Sequence, residues 1–364
     1  MGELLTYSIL TGSDPVSARS DLSISRGRLG NLLAAMAGVR VGVVGDACLD
    51  VYWDADMTLS RLARENPHFI LPVVKERLSP GGGSNSAACL AALWQREVPL
   101  LGVIGDDWRG RELARLLPHY SISGDYLVCS AERITTAYCK PLRRGLCEVI
   151  YEDPHLYFEN HLPLGAADER AVLAKLEAML PRIDALVVAD YLEYGVVTAP
   201  VREAINAAGA RGLPIIVDSR DRIGAYRNVI LKPNELEALQ ATASPTPVRE
   251  ATPEQLMEIA RQMARRQSSR VCLTLGERGC IWAEGDRAEV IPARPAPPPV
   301  DIVGAGDCFA AAFVSALAAG ASGREAAAIA NLAAGVVVRK IGTTGSATPA
   351  EILQRYDEEV TVQA

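Results

Sequence analysis

The run Asp301-Ile-Val-Gly-Ala-Gly-Asp307 leads without a break into the small, apolar stretch 308–319. A glycine loop that opens a helix aims unpaired backbone N–H groups, and the positive end of the helix dipole, at one point where phosphate can be held. The N–H groups of Gly304, Ala305 and Gly306 would form that anion hole. Asp307 sits uneasily there, because a carboxylate repels an anion. Two roles resolve the conflict: Asp307 takes a proton from a hydroxyl while the loop stabilises a phosphoryl group in transfer, or it simply caps the helix. These residues alone leave both open.

Four further segments could share a site with it. Asp46 and Asp50, in Gly45-Asp46-Ala-Cys-Leu-Asp50-Val-Tyr-Trp53, follow the first apolar run, where a carboxylate can hold sugar hydroxyls or cap a turn. Pro80-Gly-Gly-Gly-Ser-Asn85 opens an alanine-rich helix; Gly81 and Gly82 let backbone approach a ligand, and Asn85 offers both a donor and an acceptor. It is not a Walker loop, and no G-x-G-x-x-G follows the first strand. In Leu231-Lys232-Pro-Asn234-Glu235-Leu-Glu237, the three-residue spacing of Asn234 and Glu237 suits Mg²⁺ held through its waters, and equally suits a capping box. Thr274-Leu-Gly276-Glu-Arg-Gly279 and Ala330-Asn331-Leu-Ala-Ala-Gly335 offer glycine turns and small residues between which a nucleobase could slide, or a plain hairpin and a helix contact.

The elements that must position these residues read as alternating strands and helices. Strands are expected over 40–44, 100–104, 185–189, 214–217, 228–231 and 271–275. Helices are expected over 26–38, 85–93, 111–117, 170–180, 199–210, 253–265, 307–319 and 324–339. Continuous apolar strands alternating with helices predict a doubly wound α/β sheet flanked by helices. Segments 51–79 and 126–159 alternate in polarity without helices, which predicts a small antiparallel β lid above the crevice. Residues 1–25 read as an extension, 26–355 as the main domain and 356–364 as a tail.

At 364 residues and 49% hydrophobic content, the chain can bury a large core. Its net charge of -7, without a Lys/Arg run, disfavours nucleic acid and anionic membranes as partners. Eight scattered cysteines without C-x-x-C point to a reduced, cytoplasmic protein and away from zinc. No apolar stretch is long enough to span a bilayer, and no signal peptide is apparent.

Taken in order, these motifs resemble the PfkB/ribokinase family of sugar and nucleoside kinases over residues 38–355. The family shows a Gly-Gly region, an Asn-x-x-Glu motif and a terminal Gly-Ala-Gly-Asp, here Gly81-Gly82 with Asn85, Asn234 with Glu237, and Gly304 to Asp307. Within the family, 43–53, Ser60-Arg61 before 71–74, and 334–343 look most like the heptose 7-phosphate kinases, which phosphorylate an anomeric hydroxyl. The resemblance implies a ribokinase-like fold, ATP and Mg²⁺. Asp307 would be the base; Asp50, Gly81, Gly82 and Asn85 would hold sugar hydroxyls, and Arg220 a phosphate already on the substrate. Lys232, Asn234, Thr274, Gly276, Gly279 and Asn331 would serve the nucleotide, with Asn234 and Glu237 organising Mg²⁺. The family often carries a monovalent cation, K⁺, near positions matching Asp301, Val303, Gly342 and Ser346, and such lids often pair into a homodimer.

Three departures fall in the sugar region. Arg-Glu-Asn-Pro-His-Phe stands within 59–72 in place of Pro-Glu-Ala-Pro, Glu193 stands where a lysine is expected, and Asp218-Ser219-Arg220 replaces Asp-Pro-Lys. The acceptor is therefore open between heptose 7-phosphate and a related sugar or sugar phosphate. A nucleoside kinase, with Phe69, Tyr138 or Trp53 against a base, and a non-catalytic sugar-binding regulator are the alternatives.

Overall fold

Val41–Gly45, Ala185–Asp190 and Ile215–Ser219 are buried along their whole lengths, as strands covered on both faces must be. Alternate side chains feed two separate cores: Val43 packs into one apolar cluster and Val44 into the other. In the computed structural model, which describes residues 24–94, 96–147 and 149–361, these strands are the centre of a nine-stranded sheet. Its order from one edge is Ile122–Ser123, Val98–Leu101, Val41–Gly45, Ala185–Asp190, Ile215–Ser219, Ile230–Leu231, Arg270–Thr274, Cys280–Glu284 and Arg287–Ile291. The first seven run parallel, and the last two form an antiparallel hairpin. The glycine turn at 276–279, for which a plain hairpin was one of the two readings, joins Arg270–Thr274 to Cys280–Glu284 in antiparallel register. Helices Gly83–Trp94, Ala305–Ala318 and Gly323–Val337 contribute to one core, and Ala166–Met179, Ala199–Ala210 and Pro253–Arg266 to the other.

Val41–Gly45 has a later strand on each side, so the connections diverge there and open a crevice at the strand ends. Over it stands a five-stranded sheet in the order Leu156–Phe158, Thr136–Arg144, Ala47–Asp56, Val73–Gly82, with Ile150–Glu152 also pairing to Thr136–Arg144. The lid was expected to be antiparallel. Its outer pairings are, but the central pair runs parallel, Cys48 opposite Thr136 and Asp56 opposite Arg144. Alternating polarity reports one-sided burial and carries no information on strand direction. Val128–Ser130, also placed in the lid by the sequence, pairs with Val103–Gly105 in a separate two-stranded sheet.

The expected tail is corrected as well. Helix Pro349–Thr361 runs through residue 355; Tyr356 is buried and donates its hydroxyl to the Ile24 carbonyl at 3.0 Å, and the Arg355–Glu359 ion pair is buried. Of the expected N-terminal extension, all but Ile24 and Ser25 lie outside the described residues. Ser25 accepts from the Arg28 N–H and caps helix Arg26–Met36.

Candidate active site

Asp46 and Asp50 leave the same strand end and do different work. Asp46 is buried and accepts three backbone N–H groups, from Tyr191 and Leu192 at 2.9 Å and Val196 at 2.8 Å. It is the turn cap of the two readings, and it fixes the loop after Ala185–Asp190 against the first core strand. Burial pushes its carboxyl up to about 6 in spite of those donors. Asp50 faces the lid side of the crevice. Its Oδ2 accepts from the Thr344 hydroxyl at 3.1 Å and lies 3.6 Å from the Lys140 ammonium. Gly81 is glycine because a Cβ there would stand 2.6 Å from Asp50 Oδ1.

Asp307 lies in the first turn of helix Ala305–Ala318, half-buried. Its Oδ2 accepts from Asn85 Nδ2 at 2.7 Å, and its Oδ1 from Ser86 Oγ at 2.6 Å and the Tyr191 hydroxyl at 2.7 Å. Burial raises its pKa, and the Ser86, Asn85 and Tyr191 donors oppose that rise. The side chain therefore does more than cap its own helix: three donors from two other segments hold a carboxylate in one orientation. Tyr191 also lies 3.2 Å from Asp218 Oδ2, and that same oxygen takes the buried Lys232 ammonium at 2.8 Å. Burial alone would lower the Lys232 pKa; Asp218 first, then Glu237 and Asp307, reverse the sign and keep it charged.

The loop beside Asp307 needs glycine. Gly304 has φ +80°, and a Cβ there would meet Asn85 Nδ2 and Thr344 Cγ2 at 3.1 Å. The anion hole expected from Gly304, Ala305 and Gly306 is corrected in one member, because the Ala305 N–H turns back to the Ile302 carbonyl at 3.2 Å. Among the described residues no acceptor is bonded to the N–H of Gly304, Gly306 or Asp307. A Cβ on Gly306 would lie 3.6 Å from Lys232 Nζ, so the ammonium reinforces the same corner.

The residues expected around the nucleotide are only partly presented to the crevice. Asn234 and Glu237 form a capping box: Asn234 Oδ1 accepts from the Glu237 N–H at 2.9 Å, and Glu237 Oε2 from the Asn234 N–H at 2.8 Å. Burial raises the Glu237 pKa. Thr274 bridges to Asn234 through the backbone, and its hydroxyl leans on the Pro233 carbonyl at 3.4 Å. Gly276, at φ +60°, opens to free space. Gly279 is glycine for packing, since a Cβ would stand 2.2 Å from the Ile291 carbonyl. Asn331 is buried, and its Nδ2 donates to the carbonyls of Ile291 and Pro292 at 3.0 and 3.4 Å, which secures the strand end.

Arg220 is exposed, with its guanidinium 5.4 Å from the centre of the Tyr191 ring, on the rim of the crevice. Gly82, at φ +52°, turns the lid strand into helix Gly83–Trp94. Sequence reasoning missed Ser86, Lys140, Thr344 and the contacts of Tyr191. Ser86 stood next to Asn85 in a motif already singled out; Tyr191 and Thr344 carried no local signal. Asp190, beside Tyr191, is buried under Ser219, Arg222 and Tyr226, all of which donate to it.

A held carboxylate beside free N–H groups at a helix start, on a doubly wound sheet with a β lid, places the chain among the ribokinase-like phosphotransferases. The pattern of the pfkB family carbohydrate kinases matches residues 46–351, and the chain belongs to that family. It is 36% identical over 323 residues to bifunctional protein HldE of Caulobacter sp. strain K31, covering 86% of this chain and 62% of that one. The chain thus spans about three-fifths of the curated relative's length. In fold it is similar to Arabidopsis thaliana ribokinase complexed with ribose and ATP, with TM-score 0.63, 21% identity, and 87% of this chain and 98% of that one covered. It is likewise similar to Escherichia coli phosphofructokinase-2 in complex with potassium, with TM-score 0.67, 19% identity, and 88% and 99% covered.

Proposed function

We propose that the chain transfers the γ-phosphoryl group of ATP to a hydroxyl of a sugar phosphate, with the anomeric hydroxyl of heptose 7-phosphate the acceptor that the sequence resemblance favours. The observation that carries this reading is Asp307, aimed by Asn85, Ser86 and Tyr191 beside the free N–H groups of Gly304 and Gly306. The acceptor hydroxyl gives its proton to an Asp307 oxygen as its own oxygen attacks the γ-phosphorus, and the bond from that phosphorus to the β,γ-bridging oxygen breaks to release ADP. Negative charge growing on the phosphoryl group meets the helix start and, behind it, Lys232. Asp50, in reach of Lys140 and Thr344, holds the sugar. Arg220 at the rim takes a phosphate that the acceptor already carries.

Glu237 and Asn234 fit a Mg²⁺ carried by the nucleotide. The capping box spends Glu237 Oε2 and Asn234 Oδ1, which leaves Glu237 Oε1 for a metal-bound water. The ion would neutralise phosphate charge.

The lid exposes Leu59, Leu62, Phe69, Leu71, Val73 and Val74 together, an apolar face suited to the lid of a second copy. Light scattering should give the mass of a homodimer, and a monomer mass at working concentration would remove that part of the reading.

Among the described residues no helix is long and apolar enough to cross a membrane, and all eight cysteines are free, which supports a place in the cytoplasm. Recovery in a periplasmic or membrane fraction would count against it.

ADP release is measured with ATP, Mg²⁺ and a panel of sugars, sugar phosphates and nucleosides. Heptose 7-phosphate should give the largest rate above the no-acceptor blank. A nucleoside hit would replace the acceptor. No turnover together with no ATP binding would overturn the kinase reading in favour of a sugar-binding regulator.

A further inference from the structure

Tyr191 faces two carboxylates with a single hydroxyl hydrogen. Its oxygen lies 2.7 Å from Asp307 Oδ1 and 3.2 Å from Asp218 Oδ2, and it can donate to only one of them at a time. The shorter contact gives the hydrogen to Asp307. Three other charged or titratable groups surround the pair. Lys232 stands 2.8 Å from Asp218 Oδ2, the Arg220 guanidinium lies over the Tyr191 ring, and the buried Cys89 thiol is close enough to feel the Asp307 charge.

Lone pairs decide what happens when Asp307 takes a proton. An ionised carboxylate offers about four acceptor positions, two on each oxygen. On Asp307, Ser86 and Tyr191 fill both positions of Oδ1, while Asn85 fills one of the two on Oδ2. The position left for the proton of an acceptor hydroxyl is therefore on Oδ2. Once that proton is bound, Asp307 is neutral, and Asp218, ion-paired with Lys232, is the charged carboxylate left within reach of Tyr191. A hydrogen bond to a charged group is about twice as strong as one between neutral groups, so the hydroxyl now belongs to Asp218. Rotation about the tyrosine C–O bond and a shortening of the longer contact are all that the change requires.

We propose that Tyr191 is a positioning residue that moves its hydrogen bond from Asp307 to Asp218 when Asp307 is protonated. No proton passes through the tyrosine: the acceptor's proton goes to Asp307 Oδ2, and the tyrosine keeps its own. Among the described residues Ser86 reaches no second carboxylate, so its bond weakens when Asp307 is neutralised and it opposes protonation. Tyr191 has a second anion to turn to and opposes it much less. It thus aims the base at little loss of basicity. The inference deepens the reading of Asp307 as the base, and rests on that reading for its catalytic meaning alone.

The test follows the side-chain carboxyl carbons by NMR through a pH titration, in protein labelled at aspartate and free of nucleotide and sugar, with the Asp307 and Asp218 signals assigned through the backbone. Tyr191→Phe should change the proton affinity of Asp307 by less than about twofold. In an Asp218→Asn background the same substitution should raise that affinity by about tenfold, because the alternative anion is gone. The four proteins form a double-mutant cycle, in which the direct effects of removing Asp218 and releasing Lys232 cancel. Equal effects of Tyr191→Phe in the two backgrounds, whether tenfold or none, overturn the proposal. If a variant fails to fold, the wild type decides alone: the Asp218 carboxyl signal should shift in step with the Asp307 titration as it gains the hydroxyl. An Asp218 signal that stays still through that titration overturns the proposal as well. No substrate is present, so an absence of turnover with every acceptor would count against the kinase reading and leave this result unaffected.

Discussion

Removing the Ser86 hydroxyl isolates one of the three donors that hold the base. Ser86 Oγ lies 2.6 Å from Asp307 Oδ1, and the serine is buried in the first turn of its helix, where alanine is a good helix former. A hydrogen bond to a charged group contributes about 1.5–3 kcal/mol, and one pKa unit corresponds to about 1.4 kcal/mol. Full loss of the donor would thus raise the Asp307 pKa by about 1–2 units. Tyr191 donates to the same oxygen at 2.7 Å and takes up part of the deficit, so a rise of about one unit is expected. The sign follows from the donor's preference for the anion: without it the neutral acid gains, and activity that needs the carboxylate disappears at a higher pH. In Ser86→Ala the acid limb of the kcat–pH profile should move up by about one unit, with the plateau changed by less than about threefold. An unmoved acid limb in a folded variant would refute the claim that Ser86 tunes Asp307. A uniform fall at every pH would show that Ser86 acts only by packing.

Two other substitutions probe the scaffold under the site. Asp46→Ala should cost about 2–4 kcal/mol in urea unfolding, because three backbone N–H groups lose their acceptor. The Asp46 carboxyl binds its proton more tightly folded, at about 6, than unfolded, so its contribution weakens as pH rises from about 4 to 6; Asp46→Ala should flatten the stability–pH curve in that window. Gly304→Ala places a side chain at φ +80°, a strain of about 1–2 kcal/mol, and should lower kcat/KM by roughly tenfold or more with a modest change in thermal midpoint. Wild-type kinetics in that variant would show that the loop is not part of the machinery.

How far the sequence reached depends on the range of the signal. Apolar runs such as Val41–Gly45 and Ala185–Asp190 revealed the sheet because burial on both faces leaves a local pattern. The parallel pairing at the lid's centre left none, since direction is settled by where both strands leave the core. Asp307 and Asn85 were legible because glycines beside them mark backbone close to a ligand. Tyr191 was not, as its contact to Asp307 joins residues 116 positions apart and no spacing rule reaches that far. Asn234, Glu237 and Asn331 show the converse. Their residue types invite a ligand role, while their hydrogen bonds in this structure go to a capping box and a strand end.

The account stands on Asp307 as the base of a phosphoryl transfer. Asp307→Asn keeps the size and the Asn85 and Ser86 neighbours but cannot take a proton. With the acceptor that the wild type uses best, kcat should fall by about 10²–10⁴ while ATP affinity stays within about threefold. An Asp307→Asn enzyme turning over at the wild-type rate would contradict the central claim.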